Sequence, residues 1–258
     1  DLEKLDDILT RLKKYKWAHL TGLHAHIGSQ IFELAPHRDL SSVLADALKK
    51  ARDIGHPIVD INVGGGLGIK YTSSDNPPSI NDWVQTVSLG IEDACKSRGL
   101  ALPRLLCEPG RSIVATSGIT LYKIGSRKEI PGLRTYISVD GGMSDNPRPI
   151  TYESEYTACV VDNFLGDNKE LVTIAGKHCE SGDVLLKDYL LPKSSSGSVL
   201  GIFCTGAYNF SMSSNYNRIP KPSTVLVGNG QADLIQKREL PEDLLRYDIL
   251  PDRFIDHG

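Results

Sequence analysis

The chain has 258 residues, 40% of them hydrophobic and 24% charged, which is enough to bury the core of one large domain or two modest ones. Its 29 basic and 32 acidic side chains leave a formal charge of -3, so no long-range field draws in nucleic acid or an anionic membrane, and small metabolites fit better as partners. The five cysteines (Cys95, Cys107, Cys159, Cys179 and Cys204) are scattered, with no CxxC pair, so the sequence offers neither a disulfide framework nor a metal-site pattern, and a reducing compartment is expected.

Residues 1–16 open with Leu2, Leu5, Ile8, Leu9 and Leu12 at helical spacing, acids early and lysines late, which predicts an amphipathic helix. The acidic start does not resemble a signal or transit peptide, and Asp rather than Met at position 1 reads as a processed or truncated beginning. No apolar run approaches the ~18 residues of a membrane span. A second helix follows Pro36, with Leu40, Val43, Leu44, Ala47, Leu48, Ala51 and Ile54 on one face and Gly55 at its stop. A third opens at Ser79 with Asp82 in capping-box position and runs towards Gly99.

Between these helices lie the apolar runs His19–His26, Ile58–Val63 and Arg104–Cys107. Helix and strand therefore alternate as βα units, which predicts parallel strands with helices outside. Each run ends in a polar or glycine-rich segment, where α/β folds place their chemistry. Past about Ile113 the pattern changes to short β-rich runs at 119–124, 134–139, 156–161, 171–175, 199–204 and 224–227. The expected fold is thus α/β followed by a mostly antiparallel β domain, with residues 1–112 and 113–258 as the two parts.

Gly64-Gly65-Gly66-Leu67-Gly68 serves a tight turn and phosphate binding equally well, because a missing side chain helps both. It fails as a dinucleotide fingerprint, since Ile69 stands where a third glycine or alanine belongs. Glu108-Pro109-Gly110-Arg111 could be a turn with a surface ion pair, yet a carboxylate ending a buried strand needs a partner, and a protonated ring nitrogen would supply one. His26 alone reads most simply as a core histidine, but it shares its strand end with Ser29, which can donate to a phosphate oxygen. In the Cys179-Glu180-Ser-Gly-Asp183 loop, a thiol beside a carboxylate has no obvious lowering of its pKa, stays largely protonated, and so suits a proton donor better than a nucleophile. Arg148, Tyr152 and Tyr208 could each be surface decoration. Set beside Glu180 they offer a guanidinium for a carboxylate, two phenols, and an acid for an ammonium.

His24-Ala-His-Ile-Gly-Ser-Gln30, Asn62-Val-Gly-Gly-Gly-Leu-Gly68, Glu108-Pro-Gly-Arg111, Asp140-Gly-Gly-Met-Ser-Asp-Asn-Pro-Arg-Pro149, Cys179-Glu-Ser-Gly-Asp183 and Gly206-Ala-Tyr208, in this order from Leu20 to about Gly230, closely resemble the diaminopimelate decarboxylase family. These are pyridoxal 5'-phosphate enzymes of the alanine-racemase-like fold, a TIM-like (β/α)8 barrel plus a β domain. The resemblance implies that His26 lies on the face of the pyridine ring, with Ser29, Gly64, Gly65 and Gly66 around the phosphate. Glu108 would pair with the ring nitrogen, within the cofactor-binding turn Glu108, Pro109, Gly110 and Arg111. It further implies that Arg111, Arg148 and Tyr152 hold the substrate, Glu180 its distal ammonium, and Tyr208 both cofactor and substrate, while Cys179 returns a proton. The implied reaction is decarboxylation of meso-2,6-diaminopimelate to L-lysine. The implied assembly is a homodimer with shared active sites, in the cytoplasm or, if a transit peptide was lost, in an organelle.

Ornithine and arginine decarboxylases share the histidine, glycine and EPGR motifs, but the ornithine enzymes tend to carry Asp where Glu180 stands. Cys204-Thr205 before Gly206, and Lys177-His178 before Cys179, depart locally from the family pattern. A non-catalytic regulatory relative would be expected to lose the cofactor and substrate residues, which are present. A phosphate-binding barrel enzyme without pyridoxal phosphate would leave the Cys-Glu loop without a task. The family's cofactor lysine sits in a Tyr-x-x-Lys-Ala-like motif upstream of the His-Ile-Gly-Ser segment, and no such motif occurs here. Three βα-type strands precede the β domain, whereas a full barrel has eight and takes about 250 residues. The chain therefore reads as the last barrel units plus the β domain, inactive by itself.

Overall fold

Leu5, Leu9 and Leu12 fall on one side of a helical turn, and in the computed structural model, which describes residues 2–254, α1 spans Leu5–Leu12 after a short 3-10 turn at Leu2–Lys4. The predicted helix to residue 16 stops earlier: its lysine-rich end forms turns instead, and Lys13 reaches over to the carbonyl of Ile54. α2 (Ala35–Ile54) ends at Gly55, whose φ of 93° closes the helix in the left-handed conformation that glycine adopts without a steric penalty. α3 (Ile80–Ser97) begins at Ser79, whose hydroxyl oxygen accepts from the Asp82 amide at 3.1 Å. Ser79→Ala is expected to cost about 1 kcal/mol of stability, as loss of an N-cap does; urea unfolding read by circular dichroism checks it.

The strands between these helices are shorter than the apolar runs suggest. β1 (Gly22–His24), β2 (Asp60–Asn62) and β3 (Arg104–Leu106) form a parallel sheet in the order β1-β2-β3, with His24 level with Asn62 and Asn62 level with Leu106. The apolar faces of α1, α2 and α3 cover this sheet: Leu9, Leu44, Leu48, Trp83, Val87 and Ile91 pack with Ile58, Ile61 and Val63 in one buried cluster. α4 (Gly110–Val114) then leads into a 3-10 turn at Ala115–Ser117.

The described chain divides into two compact units between Thr116 and Ser117. In the second, β4 (Ile119–Ile130), β5 (Arg134–Val139), β6 (Ala158–Val160), β7 (Lys169–Ala175), β8 (Val184–Pro192) and β9 (Val199–Phe203) form one sheet in the order β6-β9-β4-β5-β7-β8. All neighbours are antiparallel except β5 and β7, which run parallel. The sheet curls until its edges meet, where the Tyr189 hydroxyl of β8 accepts from the Ala158 amide of β6 at 3.0 Å. α5 (Arg148–Tyr152) lies in the β5–β6 connection, and β10 (Thr224–Gly228) pairs with β11 (Gln231–Gln236) as a separate hairpin. The first unit is thus three parallel βα units, and the second a nearly closed mixed barrel with an added hairpin.

Candidate active site

In the first unit the strand ends bring His24, Asn62 and Glu108 together. His24 and Asn62 are paired residues on adjacent strands, and Glu108 lies two residues past Leu106, the next partner in register. Asn62 Nδ2 donates to Glu108 Oε1 at 2.8 Å, His24 Nε2 stands 3.5 Å from Glu108 Oε2, and Asn62 Oδ1 accepts from the Gly64 amide at 2.9 Å. The expectation that Glu108 caps a buried strand is corrected: β3 flanks the sheet with Leu106 exposed, and the Glu108 side chain remains 51% exposed. Its partners reach both carboxylate oxygens, while about half of the side chain stays open.

The glycine turn is shaped by the same crowding. A Cβ on Gly65 would run into the Glu108 carbonyl oxygen, and one on Gly64 would lie 2.7 Å from the Ala25 carbonyl. Gly66 has φ +101° and backs onto the Gly28 carbonyl. Among the described residues the amides of Gly65 and Gly66 donate to no protein acceptor. Arg111 is buried to 7% exposure and donates from Nη1 to the Tyr71 hydroxyl at 2.6 Å and from Nη2 to Ser29 Oγ at 2.7 Å. A Ser29 oxygen that accepts from Arg111 keeps its own hydrogen to donate. Exposed His26 is fixed by the Gly28 amide, which donates to Nδ1 at 3.2 Å. Pro109 and Gly110 start α4, so they shape the backbone that turns Arg111 inward. Two unspent amides, a donating hydroxyl and a buried guanidinium fit an anionic phosphate, and a half-open carboxylate fits a cationic ring nitrogen, so these residues match the pyridoxal phosphate that the motifs imply.

In the second unit Arg148 and Tyr152 open and close α5. The Arg148 guanidinium lies 5.1 Å from the centre of the Tyr152 ring and 5.2 Å from that of Tyr208, a cation over two aromatic rings. Its Nη2 donates to Ser154 Oγ at 3.2 Å, while Nε is buried without a partner among the described residues. Tyr208 takes a left-handed φ of 67°, rare for a residue with a large side chain. Cys179 and Glu180 are exposed on the loop between β7 and β8, and that loop packs on α5 so closely that a Cβ on Gly182 would come within 2.6 Å of Ile150 Cδ1.

The preceding Asp140–Pro149 turn is ordered by its own acids. Asp140 accepts from the Lys123 amide at 2.8 Å and Asp145 from the Gly142 amide at 3.1 Å, and burial pushes the Asp145 carboxyl above its ordinary value. Asp183 joins this turn to the Cys-Glu loop: its carboxylate accepts from the Met143 amide at 2.7 Å and the His178 amide at 3.0 Å, and lies 2.7 Å from His178 Nδ1.

Sequence reading quoted His24, Asn62 and Asp183 within motifs without giving them tasks, and passed over Tyr71 and Tyr216. For His24 and Asn62 the signal is positional, since each is the last residue of a parallel strand. Tyr71 and Tyr216 have no signal in linear order, because their partners lie far away in sequence. No group of three or more metal-ligating side chains occurs among the described residues, and no helix there is long and apolar enough to cross a membrane.

Residues 1–115 match the family model described as pyridoxal-dependent decarboxylase, pyridoxal binding domain. A diaminopimelate decarboxylase from Synechocystis is 50% identical over 255 residues, covering 99% of this chain and 54% of that relative. One from Bacillus subtilis is 44% identical over 232 residues, covering 89% and 53%. Among solved structures, the diaminopimelate decarboxylase from M. jannaschii in co-complex with L-lysine superposes with a TM-score of 0.90 at 34% identity, covering 96% of this chain and 56% of that one. The chain spans about half the length of the curated relatives it matches. The motif order, the parallel βα units followed by a curled β barrel, and these relatives agree: the chain belongs to the diaminopimelate decarboxylase family of pyridoxal-dependent decarboxylases.

Proposed function

We propose that these residues serve the pyridoxal-phosphate-dependent decarboxylation of meso-2,6-diaminopimelate to L-lysine, in a protein of the length of its relatives. The observation that carries this reading is the pairing of Cys179 with Glu180 on one exposed loop packed against the helix that bears Arg148. That loop offers a proton and a carboxylate beside a cation for a carboxylate, which matches an amino acid charged at both ends.

When bound, pyridoxal phosphate supplies an electron sink for the bond between the substrate carbon and its carboxylate. Glu108, held by Asn62, would pair with the ring nitrogen and keep it protonated. The Gly65 and Gly66 amides, Ser29 and Arg111 would hold the phosphate, and His26 would serve the ring. Arg148, placed over the rings of Tyr152 and Tyr208, takes a substrate carboxylate in a fork of N–H donors, and Glu180 takes the distal ammonium. As the carbon–carboxylate bond breaks, its electron pair stays on the substrate carbon, and carbon dioxide leaves. The Cys179 thiol then gives that carbon a proton and regains one from solvent. The exposed loop suits a homodimer in which Cys179 and Glu180 serve a neighbouring subunit's site. The free cysteines suit a cytoplasmic setting.

The test is steady-state turnover by the protein of relatives' length and by residues 1–258 alone, with meso-diaminopimelate and with 2-aminoheptanedioate, which lacks the distal amine. The longer protein is expected to release lysine and carbon dioxide, and residues 1–258 alone to release none. In the longer protein Glu180→Ala should lower kcat/KM for diaminopimelate about tenfold more than for the analogue, the scale of one charge-assisted contact. Equal losses would remove Glu180 from the recognition of the distal end, and absence of lysine from the longer protein would overturn the reading.

A further inference from the structure

The turn after Asn215 touches both reactive residues of the Cys-Glu loop. Asn217 and Arg218 take left-handed φ values of 54° and 57° in succession, a strained arrangement for residues with side chains. Two groups of this turn reach the loop: Asn217 Oδ1 accepts from the Cys179 amide at 3.2 Å, and the Tyr216 hydroxyl donates to Glu180 Oε2 at 3.4 Å. The Tyr216 ring is backed by the His178 ring, stacked at 5.9 Å and 24°. His178 is itself buried, its side chain 0% exposed and its Nδ1 2.7 Å from Asp183 Oδ2. Among the described residues the other donors to Glu180, the Ser181 hydroxyl at 3.5 Å and the Gly182 amide at 3.4 Å, belong to its own loop and reach only Oε1.

We infer that Tyr216 is a positioning residue that aims the Glu180 carboxylate, and thereby sets selectivity for a substrate with a distal ammonium. A carboxylate on an exposed loop samples many directions, and a single donor from a neighbouring turn, fixed by the stack on His178, narrows them before the substrate arrives. Oε2 is fixed while Oε1 satisfies the loop, so the carboxylate plane is defined by contacts at both oxygens. Tyr216 touches no reacting atom; its effect passes through Glu180. The inference rests on the assignment of Glu180 to the distal ammonium.

The test is Tyr216→Phe in the full-length holoenzyme, which removes the hydroxyl and keeps the ring on His178, together with Glu180→Gln and the double variant. Tyr216→Phe is expected to raise KM for meso-diaminopimelate about fivefold, the scale of a typical net hydrogen bond. It should leave kcat and the KM for 2-aminoheptanedioate unchanged. In the double variant the loss should be no greater than in Glu180→Gln alone, because the hydroxyl then has no carboxylate to aim. Equal KM changes for both substrates, fully additive losses, or a fall in kcat accompanied by a lower thermal midpoint would each overturn the inference. A wild-type enzyme that discriminates the two substrates beside an unaltered Tyr216→Phe variant would sink this inference alone. A wild type that decarboxylates neither would sink the decarboxylase reading as well.

Discussion

Gly65→Ala is expected to cost at least about 3 kcal/mol of stability and to abolish pyridoxal phosphate binding, because an added methyl group would overlap the Glu108 carbonyl oxygen. The obstacle is backbone rather than a flexible side-chain tip, so relief requires the glycine turn or the Glu108–Arg111 turn to move. Either movement displaces donors assigned to the phosphate. Thermal unfolding with and without the cofactor, with the cofactor absorbance band as second readout, checks the result. A variant that keeps its midpoint and its absorbance would show that the two turns yield freely.

In the protein of relatives' length, Glu108→Gln is expected to lower kcat for decarboxylation about a hundredfold while leaving the cofactor bound, the scale of removing one preorganised electrostatic partner. An amide occupies the same space, so contacts to Asn62 and His24 can re-form, but it places no negative charge against the ring nitrogen. Cofactor retention separates this loss from a folding defect. Single-turnover kinetics of carbon dioxide release would locate the change in the bond-breaking step, and an unchanged rate would remove Glu108 from its assigned role.

The helices were legible because their apolar residues recur at helical spacing and their ends carry chemical stops, Ser79 at one start and Gly55 at another finish. The strands were legible in order but not in extent. Parallel pairing covers Gly22–His24 alone within the run His19–His26, and pairing is a property of the neighbour rather than of the run. β8 escaped notice because Val184–Pro192 carries adjacent leucines and Asp188 in a left-handed conformation, where its ladder with β7 shifts register and alternation is lost. β11 is exposed along most of its length and its Leu234 and Ile235 stand side by side, so no alternating buried face marks it. At the candidate site the motifs delivered the residue types and their chain order. The distance from Asn62 to Glu108, the Arg111 contacts with Tyr71 and Ser29, and the reach of Tyr216 to Glu180 depend on the folded backbone and leave no trace in spacing.

Asn62 spends its two unlike ends on different tasks, oxygen towards the Gly64 amide and nitrogen towards Glu108. One planar amide is therefore a rigid tie rod between the turn assigned to the phosphate and the acid assigned to the ring nitrogen. The spacing between the two ends of a cofactor's binding place is thus gauged from within the protein, by a side chain that needs no contact with the cofactor to set it. Aspartate has the same shape but like ends, and would turn the rod into a repulsive strut against Glu108.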